Sequence, residues 1–342
     1  MNRLRNLILL FIAFWGSAQC LGGEKGNAFA EMAMSRVLPQ PSVRGDDPEW
    51  FFLVKELRHL GTGEFWTKSW AEVAANGSDP IPSIKEFDDL LAGRGIRLIL
   101  VPIPPKGTIY PEKLDNDFAS GDPWTTSPFL KNLSKQGIEV IDVESDFLQL
   151  RNTQQEIVPK LYCSQDAHYS PFAIERIADQ IAAELKDLHG PSNGAIGLSD
   201  TQELTITGDQ IAGSEWEGKV PGETLSIRKV QHQGKVGVSP SPDSPVLLLG
   251  DSHTLVFHEG ASGGMHCEGA GLADHLSQRL GQAVDLVGVR GSGMVQARKQ
   301  LFYKATSEPG YWSRKKAVVW VFSMREFTQS ADRLISIPLD RQ

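Results

Sequence analysis

Five continuous apolar runs constrain what this chain can fold into more than any other feature. They occupy residues 97–102 (Arg-Leu-Ile-Leu-Val-Pro), 138–143, 246–249, 284–289 and 317–322, and helix-compatible sequence separates them. A strand with one solvated face alternates polar and apolar residues; a run without alternation is covered on both faces, which is the habit of parallel sheets. The pattern predicts an α/β fold, a three-layer α/β/α sandwich around a mainly parallel central sheet. A helical pattern over 83–91, stopped by Gly93 and Gly95, leads into the first run. Between residues 200 and 234 the pattern changes to short alternating pieces punctuated by Gly208, Gly213, Gly218 and Gly222, which predicts a small β-rich insertion. With 342 residues, 40% of them hydrophobic, the chain has enough apolar surface for one large domain.

The amino terminus reads as an export signal. Arg3 and Arg5 precede an apolar run over 7–15, followed by Gly16, Ser17 and Ala18, so residues 1–18 are expected to be a signal peptide cleaved after Ala18, with 19–342 as the mature domain in the periplasm. An uncleaved inner-membrane anchor is the alternative, although the run falls short of the ~20 residues a spanning helix needs. Lipidation of Cys20 is disfavoured by Gln19. The chain carries a net charge of −8, and loss of the two signal arginines leaves about −10, which disfavours nucleic acid as a partner. Cys163 and Cys267 then form an even pair in an oxidising compartment, either as a disulfide or as two buried thiols.

Chemistry concentrates in two places. The segment 245–253, Pro-Val-Leu-Leu-Leu-Gly-Asp-Ser-His, runs an apolar strand into a tight turn and puts Ser252 at the carboxyl edge of the sheet, where α/β folds bind ligands. A serine hydroxyl needs an imidazole as base and a carboxylate to set the imidazole tautomer. Asp166-Ala167-His168 supplies both, two residues apart and therefore on one side of an extended segment. A well-marked helix follows, with Ser170 as N-cap, Pro171 at its first position, and Ile174, Ile177, Ala178, Ile181 and Leu185 on one face. Asp251 is expected to support the nucleophile turn by bonding nearby backbone rather than to join the triad.

Leu249-Gly250-Asp251-Ser252 resembles the nucleophile block of the SGNH hydrolase superfamily, and Asp-x-His ahead of Ser in the chain is similar to the permuted order of the alginate O-acetyltransferase (AlgJ/AlgX-like) family. The segments 50–53 (Trp-Phe-Phe-Leu), 56–59 (Glu-Leu-Arg-His), 100–106 (Leu-Val-Pro-Ile-Pro-Pro-Lys), 110–111 and 166–171 fit the same family, so the likeness spans about 48–330. The resemblance implies an O-acetyltransferase that moves an acetyl group to hydroxyls of an exported polysaccharide through an acetyl-serine intermediate. It also implies a membrane-bound acyl-transfer protein as partner and no cofactor. A polysaccharide acetylesterase with the same triad, and a non-catalytic carbohydrate-binding or assembly protein, stand as alternatives, and we expect a monomer. The family places a second oxyanion donor on a glycine after the next strand, for which Gly291 is the best match and Gly293 nearly as good. The superfamily's third block has an Asn where this chain reads Ser323-Met324-Arg325-Glu326; Arg325 is expected either to orient the acyl group or sugar, or to pair with Glu326.

Other residues invite functions that their spacing does not support. His253, His258, His266 and His275 match no standard zinc pattern, so no metal site is expected. Asp166-Ala167-His168 with Gly250-Asp251 echoes a metallophosphoesterase, but the remaining motifs of that class do not follow. Trp124 and Trp312 could stack on sugar rings or simply pack.

Overall fold

The computed structural model describes residues 26–118, 124–153, 159–190, 196–333 and 335–339. The expected signal segment 1–18 and Cys20 lie outside the described residues. Strands in chain order are β1 (Ser42–Arg44), β2 (Phe51–Leu53), β3 (Arg97–Ile103), β4 (Glu139–Val140), β5 (Ile196–Leu198), β6 (Gln202–Ile206), β7 (Glu223–Ile227), β8 (Val230–His232), β9 (Lys235–Val236), β10 (Val246–Gly250), β11 (Asp285–Gly288) and β12 (Ala317–Ser323).

The five apolar runs become one parallel sheet in the order β11-β10-β12-β3-β4. Every residue of β10 and β12 is buried, as is all of β3 beyond Arg97, which is the burial that unalternating sequence requires. Helix Ile81–Ala92 precedes β3 as expected, and Phe87 packs its ring edge-on against Trp320 of β12 at 5.4 Å. The run at 138–143 departs from expectation: only Glu139 and Val140 pair as strand. Asp142 ends it, because its side chain accepts from Ser145 N at 3.0 Å and so starts helix Val143–Thr153.

Helix Pro171–Glu184 starts where the sequence places it, with Ser170 Oγ accepting from Ala173 N at 3.3 Å. Ile174, Ile177, Ala178, Ile181 and Leu185 are all fully buried. The insertion extends a little beyond 200–234, with β6 and β7 pairing antiparallel and β5, β8 and β9 forming a second small sheet. Because all strands of the central sheet run the same way, β3, β10, β11 and β12 deliver the segments after Ile103, Gly250, Gly288 and Ser323 to one edge. Among the described residues no helix is long and apolar enough to cross a membrane.

Candidate active site

Strand β10 ends hard against its neighbour. A Cβ at Gly250 would lie 2.0 Å from the Val321 carbonyl oxygen, so only glycine allows the turn to form there. Asp251 then fixes that turn: Oδ1 accepts from His253 N and from His253 Nδ1, both at 2.9 Å, and Oδ2 accepts from Ser323 N at 2.8 Å at the end of β12. Burial opposes the Asp251 charge, but His253 beside it and Arg325 further off hold its carboxyl well below the usual range. Asp251 is thus the turn support that its sequence position implied. Ser252 opens the short turn Ser252–Thr254 with its side chain partly accessible.

The opposing loop is a narrow hairpin. Tyr162 and Tyr169 bridge its two sides, and Cys163 N donates to His168 O at 3.2 Å. Tyr169 Oη donates to the His253 carbonyl, which joins this loop to the nucleophile turn. The result is a single hydrogen-bonded line: Ser252 Oγ lies 2.7 Å from His168 Nε2, and His168 Nδ1 lies 2.5 Å from Asp166 Oδ1. An ionised carboxylate only accepts, so Nδ1 carries a proton and Nε2 is the atom that can take the Ser252 proton.

Burial works against a charged imidazole at His168, but the Asp166 charge and hydrogen bond, with Asp209 and Asp251 beyond, outweigh it and raise its pKa to about 9. An imidazole can act as a base only when neutral. We therefore expect kcat/KM for an acetyl ester to climb about tenfold per pH unit through neutrality and level off near pH 9. Asp209→Asn, which removes one of the charges holding the imidazolium, should move that limb to lower pH; a pH–rate profile of both proteins checks it. The same shift favours the folded state at low pH: the contribution is complete below ~6.5, the pKa of a free histidine, and is lost as pH rises through about 9.

Several residues that build the site were not singled out for that role in the sequence, although Glu56 and Lys106 stand in segments that fit the family. Lys106 is fully buried and donates through Nζ to the carbonyls of Phe51 at 2.7 Å and Asp166 at 2.6 Å and to Gln210 Oε1 at 3.0 Å. Its backbone N–H donates to the buried Glu56 carboxyl at 3.2 Å. Burial lowers the Lys106 pKa and raises that of Glu56, each in part offset by the other's charge. The insertion is also part of the site. Glu223 of β7 accepts from Ser164 N at 2.9 Å and Gln165 N at 3.2 Å, while Asp209 N donates to Asp166 Oδ2 at 2.8 Å.

The remaining candidates separate clearly. Gly293, rather than Gly291, lies against the nucleophile turn: a Cβ there would sit 3.1 Å from Asp251 N and 2.7 Å from Phe322 Cβ, whereas a Cβ on the exposed Gly291 would meet nothing within 4 Å. Arg325 follows β12, with an Nη 3.6 Å from Glu326 Oε1 and its buried Nε lacking a hydrogen-bond partner among the described residues. Burial pushes the Glu326 carboxyl up to about 7 even with Arg325 nearby.

Cys163 and Cys267 are not bridged; both are buried free thiols, and the Cys163 thiol is committed to the Tyr169 carbonyl at 3.7 Å. Trp124 and Trp312 pack rather than face solvent, their indole N–H groups donating to Leu60 O at 3.2 Å and Leu339 O at 2.9 Å. The four histidines turn to four different partners: His253 to Asp251, His258 to Asp274, His266 to Asp166 and His275 to Arg279. Asp166, His168 and Asp209 do bring three potential ligand atoms within 4.8 Å of one another. Both ring nitrogens of His168 are already engaged, Nδ1 with Asp166 and Nε2 with Ser252.

A family model described as SGNH hydrolase-like domain, acetyltransferase AlgX matches residues 43–324. Over 151 residues the chain is 24% identical to the "Probable alginate O-acetylase AlgJ" of Pseudomonas aeruginosa; the aligned part covers 44% of this chain and 34% of that relative's length. The fold is similar to the O-acetyltransferase domain of Pseudomonas putida AlgJ, with TM-score 0.59 and 17% identity over 85% of this chain and 93% of the other. It is similar also to Pseudomonas aeruginosa AlgX, with TM-score 0.55 and 18% identity over 86% of this chain and 63% of the other. With the family matched across most of its length, the chain belongs to the SGNH hydrolase-like, AlgX-type acetyltransferase domain family.

Proposed function

We propose that this chain is an exported serine-dependent O-acetyltransferase acting on hydroxyls of an extracellular polysaccharide of the alginate kind. The observation that carries the reading is the line Ser252–His168–Asp166, with its 2.7 Å and 2.5 Å contacts. Ser252 Oγ attacks the acetyl carbonyl of a donor ester while His168 Nε2 takes the Oγ proton. The oxyanion is met by the Ser252 N–H and a glycine N–H of the 289–293 loop, for which Gly293 has the better position and Gly291 the poorer. The proton on His168 passes to the departing alcohol, leaving acetyl-Ser252. An acceptor hydroxyl then attacks this ester, gives its proton to His168, and Ser252 regains that proton as the acetylated sugar departs.

Arg325, whose Nε has no hydrogen-bond partner among the described residues and whose charge reaches Asp251, is the group that would orient the acyl donor or sugar. No soluble cofactor enters these steps, and a membrane-bound acyl-transfer protein would deliver the donor to the periplasm. The test offers the full chain p-nitrophenyl acetate with a panel of oligosaccharides that includes oligomannuronate. Acetylated oligosaccharide, lost in Ser252→Ala, supports the transferase. Nitrophenol and acetate released with no acetylated sugar across the panel identify an esterase instead.

A further inference from the structure

Both oxygens of the Asp166 carboxylate are occupied, and His168 uses only one of them. Oδ1 accepts from His168 Nδ1 at 2.5 Å and His168 N at 3.0 Å; Oδ2 accepts from Asp209 N at 2.8 Å and from His266 Nε2 at 2.9 Å. The side chain of His266 is 8% exposed and that of Asp166 is 1% exposed, so water competes little for this bond.

His266 reaches Asp166 from a segment 100 residues away, and the backbone there is bent to deliver it. Its φ is +68°, and Phe257 at the other end of the segment has φ +58°; neither residue is a glycine, and both stand in the left-handed region that side chains disfavour. Such a conformation persists only where surrounding contacts hold it. Here Phe257 N donates to Met265 O and Ala270 N to Phe257 O, both at 2.9 Å, and the two rings pack at 5.1 Å. The segment is also tied to the glycine loop at 289–293, where Arg290 meets Glu259 at 2.6 Å.

We infer that His266 is a positioning residue for acyl transfer: its N–H holds Asp166 by the oxygen His168 does not use and draws charge away from the one it does. The inference rests on the triad reading above. Asp166 held on both oxygens cannot rotate away from Nδ1, so His168 keeps its aim at Ser252. The carboxylate is also a weaker acceptor than it would be alone, which leaves His168 less basic and so a larger neutral fraction near neutral pH. Among the described residues Asp209, Asp251, Glu56 and the ring of His253 at 5.0 Å also act on His168, and none of these changes in the variants below.

Two variants of the full chain test the inference, assayed for p-nitrophenyl acetate turnover across pH alongside Ser252→Ala. His266→Phe fills the space without a donor; His266→Gln puts an amide N–H near the place of Nε2. His266→Phe should lose about 10- to 100-fold in kcat with KM within about twofold, and its ascending pH limb should move to higher pH. His266→Gln should recover to within about fivefold of the parent and return the limb towards its original position. A His266→Phe protein within about twofold of the parent overturns the inference, and so does a His266→Gln protein as impaired as His266→Phe, since packing of the ring would then be what matters. If turnover in the parent survives Ser252→Ala, the triad reading itself fails, a result distinct from either of these.

Discussion

Replacing Ser252 by alanine is expected to lower kcat for acetyl-ester turnover by about 10⁴-fold or more while leaving the melting temperature nearly unchanged. The asymmetry follows from the site's construction. The Ser252 hydroxyl is partly accessible and its loss takes only one partner, from Nε2 of the buried His168, a change of about 1 kcal/mol. His168 stays anchored through Nδ1 and Tyr169 stays bonded to the turn, so geometry survives and only the attacking atom is gone. Parallel measurement of turnover and thermal unfolding separates the two effects; a variant that keeps a tenth of the parent rate would exclude Ser252 as nucleophile.

The second large effect is on stability and arises away from the reacting atoms. Lys106→Met deletes a buried ammonium that serves the carbonyls of Phe51 and Asp166 and the amide oxygen of Gln210, and it leaves Glu56 without one of its nearby cations. Removing one partner of a buried charged network costs about 3–5 kcal/mol, because the stranded groups remain desolvated. In a chain of this size that corresponds to a fall in Tm of roughly 5–15 °C. Combining it with Glu56→Gln should cost less than the sum of the single changes, since the second removes the charge the first has stranded. Strict additivity in denaturant unfolding would show that Lys106 and Glu56 do not act as a pair.

The sheet was legible because covering a strand on both faces leaves an unmistakable mark: β10 and β12 are apolar without interruption. The run at 138–143 misled because Asp142 is read equally as a strand residue or a helix cap, and only its bond to Ser145 N decides. Ser252, His168 and Asp166 were legible because each sits in a short motif whose spacing carries the geometry. His266 and Asp209 have no such motif, and the one that ends at Lys106 does not tell what its ammonium meets. The three reach Asp166 across separations of 100, 43 and 60 residues, set by loop paths that no local pattern encodes.

Gly291 and Gly293 lie two apart in one loop, and choosing between them takes the closeness of Gly293 to Asp251, which is a fact of packing. The two cysteines show the same limit: an even count invites a bridge, but each thiol is buried separately. The insertion illustrates it on a larger scale. Its alternating strands announced themselves, whereas Asp209 and Glu223 bracing the triad loop did not.

The most direct test of the account is to mix the full chain with p-nitrophenyl acetate, quench in acid within the first turnovers, and locate acetyl groups by peptide mass spectrometry. An acetyl group is expected on Ser252, absent in Ser252→Ala and formed far more slowly in His168→Ala. Ester turnover that continues with Ser252 unmodified, or with the acetyl group carried by a different side chain, would contradict it.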